Sequence, residues 1–182
     1  AYNVAVGDYA GALVTTGTNN TFIGGLAGDA NTTASSNTGV GSEALTTNTT
    51  GADNSAFGRR SLNLNTTGSN NTGLGLQALY SNTTASNNTA VGLSALFANT
   101  TGASNVAVGA LALDANITGG NNIAVGLNAL GANTGAYSNV AIGVRALAAF
   151  NVTSATSTYN VAVGEDAGKV VTTGTQNTLL GG

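Results

Sequence analysis

The chain has 182 residues, a formal net charge of −3 and only 6% charged residues, and it lacks Pro, Cys, Met, Trp and His. Four Lys and Arg are too few for a nucleic-acid footprint, no apolar run approaches a membrane-spanning helix, and the absence of Cys excludes a disulfide framework and thiolate metal sites. The length suffices for one domain with a core, and 42% hydrophobic residues argue against a disordered tract despite the abundance of Gly, Asn and Thr.

The first segment, NVAVGDYAGALVTTGTN, sets the pattern for the rest. Asn3 and Gly7 bracket an apolar triplet. The same Asn returns as Asn20, Asn37, Asn54, Asn71, Asn88, Asn105, Asn122, Asn139, Asn160 and Asn177, each followed four residues later by Gly. Nine of the ten intervals between these glycines are 17 residues; Gly143 to Gly164 is 21. An Ala-Leu pair follows the Gly in most units, as at Ala95–Leu96 and Ala129–Leu130, whereas Gly11 and Gly168 replace Leu near the two ends. Residues 3–25 resemble residues 160–182 more than they resemble their neighbours, which suggests a higher-order repeat. The reading is a single repeat domain over 1–182, with a unit starting at each Asn and a four-residue insertion within 151–160.

A 17-residue unit is too short for two helices and a turn, and each Gly disfavours helix by up to ~1 kcal/mol relative to Ala. N-V-A-V-G reads as a short strand with β-branched residues two apart, and the glycines as turns. The predicted fold is all-β: a parallel β-solenoid, or β-roll, of about eleven coils. Coils stacked at ~4.8 Å would give a rod of roughly 48 Å.

Stacking superimposes like residues. The column Val6, Ile23, Val40, Phe57, Leu74, Val91, Val108, Val125, Ile142, Val163 and Leu180 is expected to form an inward apolar rail, and Leu45 through Leu147 a second. The eleven asparagines are expected to form an amide ladder, each side chain donating to its neighbour above or below. Between the branched positions stand Ala5, Phe22, Gly39, Ala56, Gly73, Ala90, Ala107, Ala124, Ala141, Ala162 and Leu179, none polar. That second face is expected to lie against a neighbouring chain, most simply in a homotrimer around a common axis.

N-V-A-V-G-x-x-A resembles the head repeats of trimeric autotransporter adhesins. The longer unit NNTAVGLSALFANTTGASN is similar to arrays in phage tail-fibre and bacterial surface-fibre proteins. The resemblance covers essentially the whole chain, although the unit here is longer than the adhesin repeat. It implies a parallel β-roll of three chains, an extracellular, cell-surface or virion setting, and contact with a host-surface glycan or protein receptor.

The inventory points away from an enzyme. Without His or Cys the familiar nucleophilic triads cannot be built, and Asp8, Asp29, Glu43, Asp53, Asp114, Glu165 and Asp166 fall in no recurring column. No cofactor loop and no metal motif is present; Glu165–Asp166 and Arg59–Arg60 read as solvated turns. Two irregularities are candidate recognition features. Tyr80 and Phe97 occupy one column in consecutive units, and Tyr159 marks the insertion. Ten N-x-[ST] sequons, among them Asn31, Asn48, Asn65, Asn82 and Asn99, are read as a ladder at a turn rather than as glycan acceptors.

The functional expectation is a non-enzymatic structural or adhesive fibre segment with itself as principal partner, no nucleic acid and no membrane insertion. One alternative is an ice-binding solenoid using the rank Thr15, Thr32, Thr49, Thr66, Thr83, Thr100 or its neighbour Thr16 through Thr118, of which only one should face outward. Another is an end-to-end self-assembling extracellular filament through unprotected edge strands.

Overall fold

A computed structural model of the protein describes residues 2–181. It is an all-β parallel solenoid of about ten coils, with no helix among the described residues. Each turn of the chain contributes one three-residue strand: β1 (Val4–Val6), β2 (Thr21–Ile23), β3 (Thr38–Val40), β4 (Ser55–Phe57), β5 (Thr72–Leu74), β6 (Thr89–Val91), β7 (Val106–Val108), β8 (Ile123–Val125), β9 (Val140–Ile142), β10 (Val161–Val163) and β11 (Thr178–Leu180). They pair in chain order in one eleven-stranded parallel sheet. Like positions are partners: Val106 with Ile123, Ala107 with Ala124, Val108 with Val125. The insertion does not disturb this register, since Val161 still pairs with Val140. Coils are named below by their strand.

The strand turns the opposite face inward from the one expected. The strand-centre column, Ala56, Ala90, Ala107, Ala124, Ala141 and Ala162, is fully buried. The branched column points out, with Phe57 41%, Leu74 48% and Ile142 39% exposed. The physical reason is the narrowness of the coil. Its interior is already occupied by the buried column Leu45, Leu62, Leu79, Leu96, Leu113, Leu130 and Leu147 and by two columns of buried asparagines. A Cβ placed on Gly39 would lie 3.2 Å from the Phe22 ring and 3.6 Å from Leu45, and one on Gly73 would lie 2.4 Å from the Ser61 hydroxyl, so the strand centre holds at most a methyl group where the neighbouring columns are regular. The face expected to meet a second chain is therefore closed within the chain itself.

The turns use backbone conformations that L residues seldom adopt. Gly92 has φ 133°, and a Cβ on it would lie 2.6 Å from the Gly109 carbonyl of the next coil. Chain conformation and stacking distance both require glycine there. The seven buried leucines sit at φ 50–55°, in the left-handed region. Their burial against the Ala columns compensates a conformation that disfavours them by roughly 1–2 kcal/mol each.

Departures from the repeat offset one another in volume. The Phe22 ring, 1% exposed, occupies space that three small residues vacate. A Cβ would meet it at 2.3 Å from Gly28, 3.1 Å from Gly11 and 3.2 Å from Gly39. Gly168 similarly makes room for Leu179, at 2.5 Å from a built Cβ. Ser61 replaces the usual Ala, its hydroxyl donates to Gly73 O at 3.0 Å, and a Cβ on Gly73 would lie 2.4 Å from that oxygen. Interiors at crystalline packing density tolerate a large residue only where a neighbour shrinks.

Candidate functional site

No pocket is present among the described residues. The asparagines that open each unit are buried from Asn20 to Asn160. Their bonding differs from the expected side-chain ladder. Asn88 Nδ2 donates to Gly102 O at 2.9 Å, closing its own coil, while its Oδ1 accepts the Asn105 N–H at 2.9 Å. The same pair of bonds recurs at Asn20, Asn37, Asn54, Asn105 and Asn122. Side chain donates to side chain in this column at Asn71, Asn139 and Asn177. Asn3 and Asn177 lie at the two ends and are more open.

The continuous amide ladder is in the N-T-T column. Asn82 Nδ2 donates to Asn65 Oδ1 at 2.8 Å and to Ala85 O at 3.0 Å; Asn99 Nδ2 donates in turn to Asn82 Oδ1 at 3.0 Å. The chain of amides runs from Asn31 to Asn133. This is the column that the sequence reads as a ladder at a turn. The signal is a second amide at fixed offset from the first in seven successive units, Asn31 to Asn133. All seven are fully buried, so Asn31, Asn48, Asn65, Asn82 and Asn99 present no nitrogen to a modifying enzyme in the folded rod. Exposed sequon asparagines fall elsewhere, at Asn19, Asn70 and Asn87.

The threonine ranks are not on a strand, and both reach the surface. Hydroxyls of the first are used within the protein: Thr49 Oγ1 donates to Thr66 O at 3.0 Å, and Thr15, Thr32, Thr66, Thr83 and Thr100 donate likewise to the following coil. A rank engaged in this way has fewer donors to offer an ice lattice. Thr33, Thr50, Thr67, Thr84 and Thr101 of the second rank are exposed.

Tyr80 and Phe97 are brought together, their ring centroids 5.2 Å apart and their planes 8° from parallel. Each ring has one face covered by the other, and both side chains are half-buried. The geometry fits an intramolecular stack. Tyr159 lies apart from them, 57% exposed at φ 52°. The insertion turns outward over 153–157 and is anchored by buried Phe150 and Thr158, the latter donating to Asn139 Oδ1 at 2.7 Å.

The few charges pair between coils. Arg60 donates two bonds to Glu43, and Arg145 bridges Asp166 and Glu165. Arg145 holds the Asp166 carboxyl below its ordinary range. Burial pushes the Asp29 and Asp114 carboxyls up, and Asp29 Oδ1 has no hydrogen-bond partner.

The largest surface feature is the outward side of the sheet. Its two columns, Val4 through Thr178 and Val6 through Leu180, contain no charged residue. Beside them Leu76, Leu93, Leu111 and Leu127 are 40–49% exposed. Comparison with known proteins gave no match: no family model, no curated protein and no solved structure is similar to the chain.

Proposed function

We propose that the protein is a non-enzymatic rod, a structural or adhesive segment of a fibre displayed on a cell surface or virion. It associates with copies of itself, most simply as a homotrimer, through the outward face of its sheet. The observation that carries this reading is the uncharged outward face, whose column from Val6 to Leu180 is apolar throughout. A parallel sheet face with Ile23, Phe57, Leu74, Val108 and Ile142 more than a third exposed is a poor surface for an isolated chain. Packing three such faces about an axis would cover that column. The likeness of N-V-A-V-G-x-x-A to adhesin head repeats supports the same arrangement. The outward insertion over 153–157, with Tyr159, is the natural place for contact with a host glycan or protein.

Mass in solution, measured by light scattering, tests the reading. Three chains per particle are expected for the native sequence. One chain is expected for a Val91→Asp/Val108→Asp variant, which sets two carboxylates on that column. A native protein of single-chain mass across the micromolar range would overturn the proposal.

A further inference from the structure

Most contacts between successive coils carry a feature that only one neighbour satisfies. Phe22 needs the space of Gly11, Gly28 and Gly39, which ties together the β1, β2 and β3 coils. Ser61 of the β4 coil needs Gly73 of the β5 coil. The Tyr137 ring of the β8 coil lies over Gly120 of the β7 coil, where a Cβ would come within 2.8 Å, and its hydroxyl donates to Thr118 O at 2.7 Å. Gly135 leaves room for the Thr153 carbonyl of the longer β9 coil, 2.6 Å from a built Cβ. Leu179 fills the place of Gly168 between the β10 and β11 coils. Surface ion pairs repeat the theme, Glu43 with Arg60 and Arg145 with Asp166.

The β6 coil, residues 88–104, carries no such feature in its interior. Its buried Asn88, Ala95, Leu96 and Asn99 meet Asn71, Ala78, Leu79 and Asn82 on one side. On the other side they meet Asn105, Ala112, Leu113 and Asn116. Removing the coil would bring identical residues together in these four columns, while Gly73 would meet Ala107 at the strand centre and Ala85 would meet Gly119 at the turn, each a difference of one methyl group. The side-chain contact peculiar to it is the Tyr80–Phe97 stack, which is half-buried and on the outside.

We propose that the rod is keyed at its other interfaces and unkeyed at the β6 coil, so that its length can change there by whole 17-residue units without disturbing the rest. A repeat protein gains stability from nearest-neighbour interfaces. A coil whose two neighbours are interchangeable can therefore be lost or duplicated with its interface energy nearly conserved. The biological sense of the inference, a spacer of adjustable reach, rests on the fibre reading; its physical content does not.

Two deletions of equal size test it. Deleting residues 88–104 joins Asn87 to Asn105; deleting 71–87 joins Asn70 to Asn88 and sets Ser61 against Ala90 in place of Gly73. Thermal melting followed by circular dichroism should give the first variant a single transition with a midpoint near that of the full chain. The second should melt clearly lower, and adding Ser61→Ala to it should restore the midpoint to that of the first. The inference is overturned if the two deletions melt alike, or if Ser61→Ala restores nothing. Light scattering on the same samples separates the readings. Loss of the multi-chain mass with melting order intact speaks against the trimer and leaves the keying standing.

Discussion

The fit of Phe22 into its glycine-lined space invites a double-mutant cycle in which the consensus residue is the damaging one. Leu is the usual occupant of the position that Gly28 holds, yet Gly28→Leu would push even its first side-chain carbon to within 2.3–2.6 Å of three Phe22 ring atoms. The backbone is not the obstacle, because Gly28 at φ 58° differs little from the leucines at 50–55°. Overpacking of this kind is expected to destabilise by about 1–3 kcal/mol or more. Phe22→Ala alone leaves a cavity against Gly11, Gly28 and Gly39 and is expected to cost about 3–5 kcal/mol. The pair together recreates the Ala-over-Leu packing of Ala90 and Leu96, with a residual void at Gly11. The double variant should therefore be more stable than the sum of the singles by roughly 2–3 kcal/mol, the upper range for residues in contact. Hydrogen exchange at the Gly28 amide, which bonds Ala44 O at 2.9 Å, reads the effect in the coil concerned. Additivity of the two substitutions to within about 0.5 kcal/mol would refute the volume-exchange argument.

Asn82→Ala should remove at least ~2 kcal/mol, since it leaves Asn65 Oδ1 and an Asn99 hydrogen unpaired in the interior and Ala85 O with only its bond from Asn71; local exchange protection measures the loss. Asn88→Asp with Asn105→Asp removes both donations to Gly102 O and Gly119 O and sets two carboxylates one coil apart. That variant should melt far below the native protein at neutral pH. It should partly recover on acidification, because buried like charges raise the folded-state pKa and stability is then lost as pH rises. Asp114 follows the same sign: its carboxyl is raised from an ordinary 3.8 by burial, so Asp114→Asn should stabilise the rod at neutral pH and leave its stability unchanged in strong acid. Gly92→Ala should be among the most damaging single changes, since it meets both a φ of 133° and the Gly109 carbonyl at 2.6 Å; absence of a lowered melting temperature would contradict the stacking geometry.

Periodicity alone made the coil legible. An Asn and a Gly four residues apart, returning every 17 residues with one interval of 21, place the eleven strands and their register. The inward direction was not legible. Val6 and Ala5 alternate, and alternation says which residues share a face without saying which face is enclosed. That choice depends on how much space the Leu and Asn columns leave, a property of the closed coil rather than of any local stretch. The bonding of the asparagines was obscured for a related reason. Asn88 finds its acceptor fourteen residues away, at Gly102, and only the path of the intervening chain brings them together. Of the candidate recognition residues, the Tyr80–Phe97 pairing followed from column arithmetic. Tyr159 precedes Asn160 as Ser138 precedes Asn139, and both hold left-handed backbone conformations.

Among the described residues, twenty-seven other than glycine hold left-handed backbone conformations, about three in every coil. Each is unfavourable by itself by about 1 kcal/mol, and a coil without neighbours has neither ladder partners nor a covered Leu to set against that. A nascent chain therefore gains nothing from forming one turn and must bring several into contact before any of them persists. The same threshold works in reverse once the rod exists. A breach in the middle has to undo several turns together before it can spread, so the finished object should resist heat and proteases longer than its modest interior would suggest.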